Sequence, residues 1–276
     1  MRRWQHSLAL VISSCIMACA PSPQAAAPAA EVATAPHGEV FPTPQLEGVA
    51  RERREVTIRS GEVALAGELD LPPGAGPLPL VVIIHHAGQV PRDAYGYLAE
   101  LLLRDGFAVF RFDKRGTGRS EGVYGCCEAD DALAAYQAAV SQPEVDGERV
   151  FIVAQSIGTR HLAERFAEFR AIRPPRAVAL LSNLLGPEAV TSVAAPALII
   201  VADSEPELKT IGAAAAEAHA AAFPDGTALY VAEGAEHSLF DLGAGPLDWG
   251  DPSWVRRYHR GAMERLRQWL VAYART

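Results

Sequence analysis

No apolar run in this 276-residue sequence reaches the roughly 18–20 residues that a helix needs to cross a bilayer. Basic side chains are also in short supply. Lys and Arg total 25 against 33 Asp and Glu, a formal net charge of −8, so there is no basic surplus to neutralise phosphates and a nucleic-acid partner is excluded. Cysteines number only 4, with no Cys/His/Asp spacing of the kind that holds a metal. Internal repeats are absent, and no second change of composition follows residue 50. What is abundant is apolar: 49% of the residues are hydrophobic and 21% charged, enough buried surface to offset the entropy of ordering the bulk of the chain.

The N-terminus reads as an address. Arg2 and Arg3 form a basic start, and residues 7–18 form an apolar stretch of 12, the length of a secretory h-region. Ile16-Met17-Ala18-Cys19 resembles a bacterial lipobox, with Ile12-Ser13-Ser14-Cys15 as a weaker second candidate. The expectation is a signal peptide over 1–18 and a lipid, such as palmitate, on Cys19, which anchors the chain to a membrane without a spanning helix. Ala20 after the cysteine suggests, by resemblance to Gram-negative lipoproteins, the periplasmic side of the outer membrane. Between residues 20 and 48, 14 of 29 positions are Ala or Pro, the composition of an extended tether. Losing Arg2 and Arg3 leaves 23 basic and 33 acidic residues, so −8 becomes −10. The folded domain is expected over 51–276.

Within it, strands and helices alternate. Val63, Leu65, Gly67, Leu69 and Leu71 mark a half-buried strand, with residues 56–58 as its partner. The continuous apolar run at 80–85 reads as a parallel strand covered on both faces, and 108–113, 150–154, 177–181, 197–201 and 228–231 read as further strands of a mostly parallel sheet. Asp93 is expected to cap a helix carrying Leu98, Leu101 and Leu102 that stops near Gly106. Ala132, Leu133, Tyr136, Ala139 and Val140 share one face of a second helix, residues 159–171 form another, and Asp251-Pro252 should start a last helix reaching about Ala274. The pattern is that of an α/β fold with helices on both faces of the sheet.

The strand at 150–154 runs into Ala154-Gln155-Ser156-Ile157-Gly158 and then into a helical segment. This is the setting of a nucleophile elbow, G-x-S-x-G, with Ala in the first small position. Small residues are needed there because the turn brings strand and helix backbones close together. A serine that merely caps a helix after a strand is the simpler alternative.

On this motif and three more segments, residues 55–276 resemble the α/β-hydrolase superfamily. Residues 111–120, RFDKRGTGRS, are similar to its D-x-R-G-x-G-x-S loop, and His85-His86-Ala87-Gly88 stands where its H-G-x oxyanion loop would be. Pro196-Ala197-Leu198-Ile199-Ile200 with the acidic stretch after it, then Gly234-Ala235-Glu236-His237, match the acid and histidine ends of a triad in the order Ser, acid, His. The resemblance implies Ser156 as nucleophile, His237 as its base, and a carboxylate that fixes the imidazole. The register favours Glu205 as that acid, with Asp203 the second choice and Glu207 the third. Backbone N–H groups of Ile157 and Ala87 would form the oxyanion hole. His86 replaces the usual Gly, and with Gln155 it is a candidate for lining the substrate pocket. Adjacent histidines suggest a metal only weakly, since neighbours on a strand point to opposite faces. Neither metal nor cofactor is expected.

Asp113 and Arg115 are expected to hold their loop together, and His161 to serve on the surface or in helix packing. Cys126 and Cys127 read either as a vicinal disulfide or as two thiols. Residues 182–196 leave room for a short helix and not for a cap domain, so the chain is similar to compact, dienelactone-hydrolase-like members with an open site. The implied activity is hydrolysis of small carboxylic esters through an acyl-enzyme. Two other readings remain: an envelope lipoprotein using the fold as a non-catalytic binding module, suggested by Ala154 and His86, and an acyltransferase with the same triad.

Overall fold

The computed structural model describes residues 51–276 other than positions 75 and 225. The expected signal peptide, lipidated Cys19 and tether therefore lie outside the described residues.

Eight strands form one sheet: β1 (Glu52–Ser60), β2 (Val63–Leu71), β3 (Leu78–Ile84), β4 (Ala108–Phe112), β5 (Val145–Gln155), β6 (Ala177–Leu181), β7 (Ala197–Ala202) and β8 (Thr227–Ala232), in the order β1-β2-β4-β3-β5-β6-β7-β8. β1 and β2 pair antiparallel around a two-residue loop in which Gly61, at φ +58°, supplies the left-handed backbone that such a hairpin needs. β2 also runs antiparallel to β4, and every remaining pair is parallel. Every residue of β4, β6 and β7 is buried, Arg111 of β4 included, whereas β8 at the edge is only partly covered.

Alternate residues of the strands face opposite cores. Val81, Ile83, Phe151, Val153, Leu198 and Ile200 pack with α1 (Gly96–Leu103) and α7 (Arg260–Arg275). Leu80, Val82, Ile84, Ile152, Ala154 and Ile199 face the other way. There they meet α2 (Glu128–Val140), α3 (Ile157–Glu164), α4 (Phe166–Ile172) and α6 (Pro206–Ala222). Between β6 and β7 only the four-residue α5 (Pro187–Val190) intervenes, so no cap covers the C-terminal ends of the strands. Among the described residues no helix is long and apolar enough to cross a membrane.

Three helix expectations are corrected. The single helix over 159–171 is two, broken at Arg165, whose φ of −117° leaves the helical region. Asp93 does not cap α1: it lies inside a 3-10 turn, Arg92–Tyr95, whose Arg92 N–H is instead taken by Asp113 Oδ1 at 2.8 Å. Asp251 does accept the Ser253 N–H, but it starts the 3-10 turn Pro252–Arg257, and α7 begins only at Arg260 with the His259 ring accepting the Ala262 N–H at 3.0 Å. Tertiary pairing draws the chain out of the helix between them, for Tyr258 bridges to Phe240 and His259 N–H bonds to Leu239 O at 2.7 Å.

Candidate active site

β5 delivers Ser156 into a sharp turn. Its φ and ψ of +54° and −119° are costly for a residue with a Cβ and persist only where the surroundings impose them. They do so here. Ser156 N–H donates to Leu181 O at 2.9 Å, and Ser156 O accepts from both Thr159 N (2.9 Å) and Thr159 Oγ1 (2.7 Å). At Gly158 a Cβ would stand 2.7 Å from the carbonyl oxygens of Ile84 and His85, which is why this position is glycine. Ala154 is fully buried, and its methyl is accommodated in the core.

Three loops at the C-terminal ends of β5, β7 and β8 then converge. His237 Nε2 lies 2.8 Å from Ser156 Oγ, and His237 Nδ1 lies 2.7 Å from Glu205 Oε2. In this line Nδ1–H donates to the carboxylate and Nε2 accepts the serine proton. Asp203 is otherwise engaged, its Oδ1 taking the Gly234 N–H at 2.8 Å, and Glu207 is exposed on the first turn of α6. Ser182, just after β6, donates its hydroxyl to His237 O and so holds the histidine backbone, a contact that no motif pointed to.

On the opposite side, the loop after β3 offers backbone donors. His86 N–H is spent on Tyr95 Oη and Gly88 N–H on Tyr124 Oη, both at 2.8 Å. Within 86–88 this leaves Ala87 N–H without an acceptor among the described residues. Ile157 N–H, at the first position of α3, is one of the donors that a helix start leaves open. The loop is braced from behind. Lys114 Nζ donates to His86 O at 2.8 Å and sits 4.9 Å from the centre of the Tyr124 ring. Burial lowers the Lys114 ammonium to about 8 against an opposing pull from Glu128.

The two histidines part company. His85 is buried between the rings of Tyr95 and Phe112, at 4.7 and 5.0 Å, and burial holds it neutral. His86 is only partly buried and lines a cavity of about 190 Å³ together with Val90, Ala94, Tyr95, Tyr97, Gln155, Ser238, Phe240, Trp249 and Trp254. Gln155 and Ser238 are the chain neighbours of Ser156 and His237, so part of the cavity wall comes from the two segments that carry the serine and the histidine. No Asp, Glu, Lys or Arg lines it. Burial, with Lys114 and His237 nearby, brings His86 down to about 4. Among the described residues no three His, Cys, Asp or Glu side chains are grouped to hold a metal ion.

Reasoning from sequence missed the aromatic lining. The signal was present: Phe240, Trp249 and Trp254 follow His237 closely in a stretch rich in Gly and Asp, an unusual density for a chain with only 7% aromatics. Asp113 accepts the Arg92 and Arg119 N–H groups, Arg115 forks onto Asp131, and His161 pairs with Glu128 at 3.0 Å. All three are occupied in holding the loop and α3 rather than meeting Ser156. Cys126 and Cys127 are joined in a disulfide, exposed at the start of α2.

A family model described as serine aminopeptidase, S33, matches residues 76–203. No curated protein matches the chain by sequence. Among solved structures, it is similar to a dienelactone hydrolase from Anabaena variabilis at 20% identity, TM-score 0.58, covering 81% of this chain and 98% of that one. A thermostable carboxylesterase cloned from a metagenomic library aligns at 15% identity, TM-score 0.60, over 84% of this chain and 92% of that one. A lidless α/β serine hydrolase from Xanthomonas campestris aligns at 19% identity, TM-score 0.53, over 81% and 94%. At such identities the likeness is one of architecture, and it agrees with the strand order and the short 182–196 connection: this chain has the α/β-hydrolase fold, without a cap domain.

Proposed function

We propose that this protein is a serine hydrolase of carboxylic esters, working through an acyl-enzyme. The observation that carries the reading is the unbroken line from Ser156 Oγ to His237 Nε2 (2.8 Å) and from His237 Nδ1 to Glu205 Oε2 (2.7 Å), at a strained elbow in a fold able to support it. His237 takes the hydroxyl proton as Ser156 Oγ attacks the ester carbonyl carbon, and Glu205 stabilises the imidazolium that results. The carbonyl oxygen becomes an oxyanion, for which the Ile157 and Ala87 N–H groups are the available donors. His237 then passes its proton to the departing alkoxide, leaving the acyl group on Ser156. Water, deprotonated by the same imidazole, attacks the acyl carbon, and collapse of the second tetrahedral species returns the proton to Ser156 Oγ and frees the carboxylic acid.

The cavity's apolar, uncharged lining suits a neutral group and offers no counter-ion to a charged one. That favours an ester over a peptide amine, whose ammonium needs a carboxylate beside it. A fluorophosphonate probe should label the wild-type chain and not Ser156→Ala; a folded wild type that resists labelling defeats the reading. The N-terminal features extend the proposal to an exported enzyme anchored through lipid on Cys19. Metabolic labelling with an alkynyl palmitate should tag the full chain and not Cys19→Ser.

A further inference from the structure

The cavity wall contains a hydrogen-bond chain whose proton positions are fixed by valence. Gln155 Nε2 donates to Ser238 O at 3.0 Å; because that acceptor is a carbonyl, the amide cannot be turned the other way. Gln155 Oε1 is therefore the acceptor facing Tyr95 Oη at 2.7 Å, and the single phenolic proton goes to it. Tyr95 Oη has no second proton to give. It lies 2.8 Å from His86 N and 2.6 Å from His86 Nδ1, so both must donate to its two lone pairs. Burial keeps the phenol un-ionised, raising Tyr95 well above its usual value, and the arrangement is then fully satisfied. The proton of neutral His86 is thus pinned on Nδ1, leaving Nε2 with a bare lone pair, unpartnered among the described residues, on a ring that lines the cavity.

From this fixed tautomer we infer that His86 Nε2 is a specificity-determining acceptor, selecting esters whose pocket-seated group is a neutral apolar body, such as an aromatic ring, that carries one hydroxyl. The inference rests on the hydrolase reading only in assigning the cavity to the substrate. The rings of Phe240, Trp249 and Trp254 supply the apolar contact. An acceptor that the seated group covers discriminates, because an analogue lacking the hydroxyl leaves the lone pair dehydrated and unpaired in the complex. An ammonium group is not the intended partner, since the wall holds no carboxylate to neutralise it.

The test is a binding measurement that needs no turnover. In Ser156→Ala, dissociation constants for 4-fluorophenol and 4-fluorotoluene, which exchange a hydroxyl for a methyl of similar size, are measured by fluorine NMR at neutral pH. The phenol should bind roughly three- to tenfold tighter. That preference should vanish in His86→Phe, which keeps a ring without an acceptor. It should also vanish in His86→Asn, whose amide can still donate to Tyr95. Equal affinities, binding of neither arene, a preference that survives both substitutions, or tighter binding of 4-fluorobenzylammonium overturns the inference. Fluorophosphonate labelling of His86→Phe and the wild type, run in parallel, reports on the hydrolase reading separately.

Discussion

Glu205 Oε2 lies 2.7 Å from His237 Nδ1, while the neighbouring carboxylate Asp203 turns away to hold the Gly234 N–H. The two acids, only two residues apart, therefore have separable duties. Glu205→Gln should lower kcat by about 10²–10⁴-fold, because a neutral amide no longer stabilises the imidazolium. It should barely change stability, since this side chain is 34% exposed. Asp203→Ala should retain ester turnover and lose about 1 kcal/mol of stability with the Gly234 contact. Steady-state kinetics and urea unfolding of the two variants separate these effects.

Strain at the elbow gives a second expectation. Ser156 is held at φ +54°, where a Cβ is unwelcome and glycine is not. Ser156→Gly should unfold at higher denaturant than Ser156→Ala, by about 1 kcal/mol, with both unable to react with a fluorophosphonate. A glycine variant no more stable than the alanine variant would show that the turn carries no strain.

Arg111 is fully buried, with Nε and Nη2 on Asp70 Oδ2 at 3.0 and 2.6 Å, Nη2 also on Glu68, and Nη1 on Arg92 O at 3.0 Å. Burial pushes the Glu68 carboxyl up despite the pull of Arg111. Arg111→Met should cost about 3–5 kcal/mol, because Asp70 and Glu68 are left in the interior without this partner. Chemical denaturation measures the loss directly.

Lys114 yields a pH dependence. Its folded value, about 8, is below the ordinary 10.5, so the folded state disfavours the charged ammonium. That penalty is fully present below pH 8 and is relieved as pH rises from 8 to 10.5, where the unfolded chain holds the proton and the folded one does not. The stability of the wild type relative to Lys114→Met should therefore rise across this window by up to about 3 kcal/mol. Denaturant titrations of both proteins at pH 7.5 and 10 provide the check; a flat difference contradicts it.

Sheet and elbow were legible because their constraints are local. Apolar runs announce strands covered on both faces, and Gly158 announces a turn so tight that a Cβ there would stand 2.7 Å from two carbonyl oxygens. Glu205 as the partner of His237 was implied by the register of the family resemblance, whereas nearness to the strand end alone pointed to Asp203. Tertiary contacts were not legible. Asp113 replaces Asp93 at the start of the Arg92–Tyr95 turn because a loop 20 residues later folds back over it. The last helix starts late because Tyr258 pairs with Phe240. Tyr95 carried no motif at all, for its role depends on Gln155, which is 60 residues away.

Tyr95 belongs to both halves of the site: its ring walls the cavity, and its hydroxyl holds the backbone of His86, one residue before Ala87. A molecule seated in the cavity would press on the same ring whose hydroxyl holds that loop. On the proposed reading, occupancy of the cavity and polarisation of the carbonyl would be geared to one another, and a poor fit on the aromatic side would be felt as a misplaced donor on the other. A serine hydrolase built in this way would reject a wrong substrate in kcat as well as in affinity.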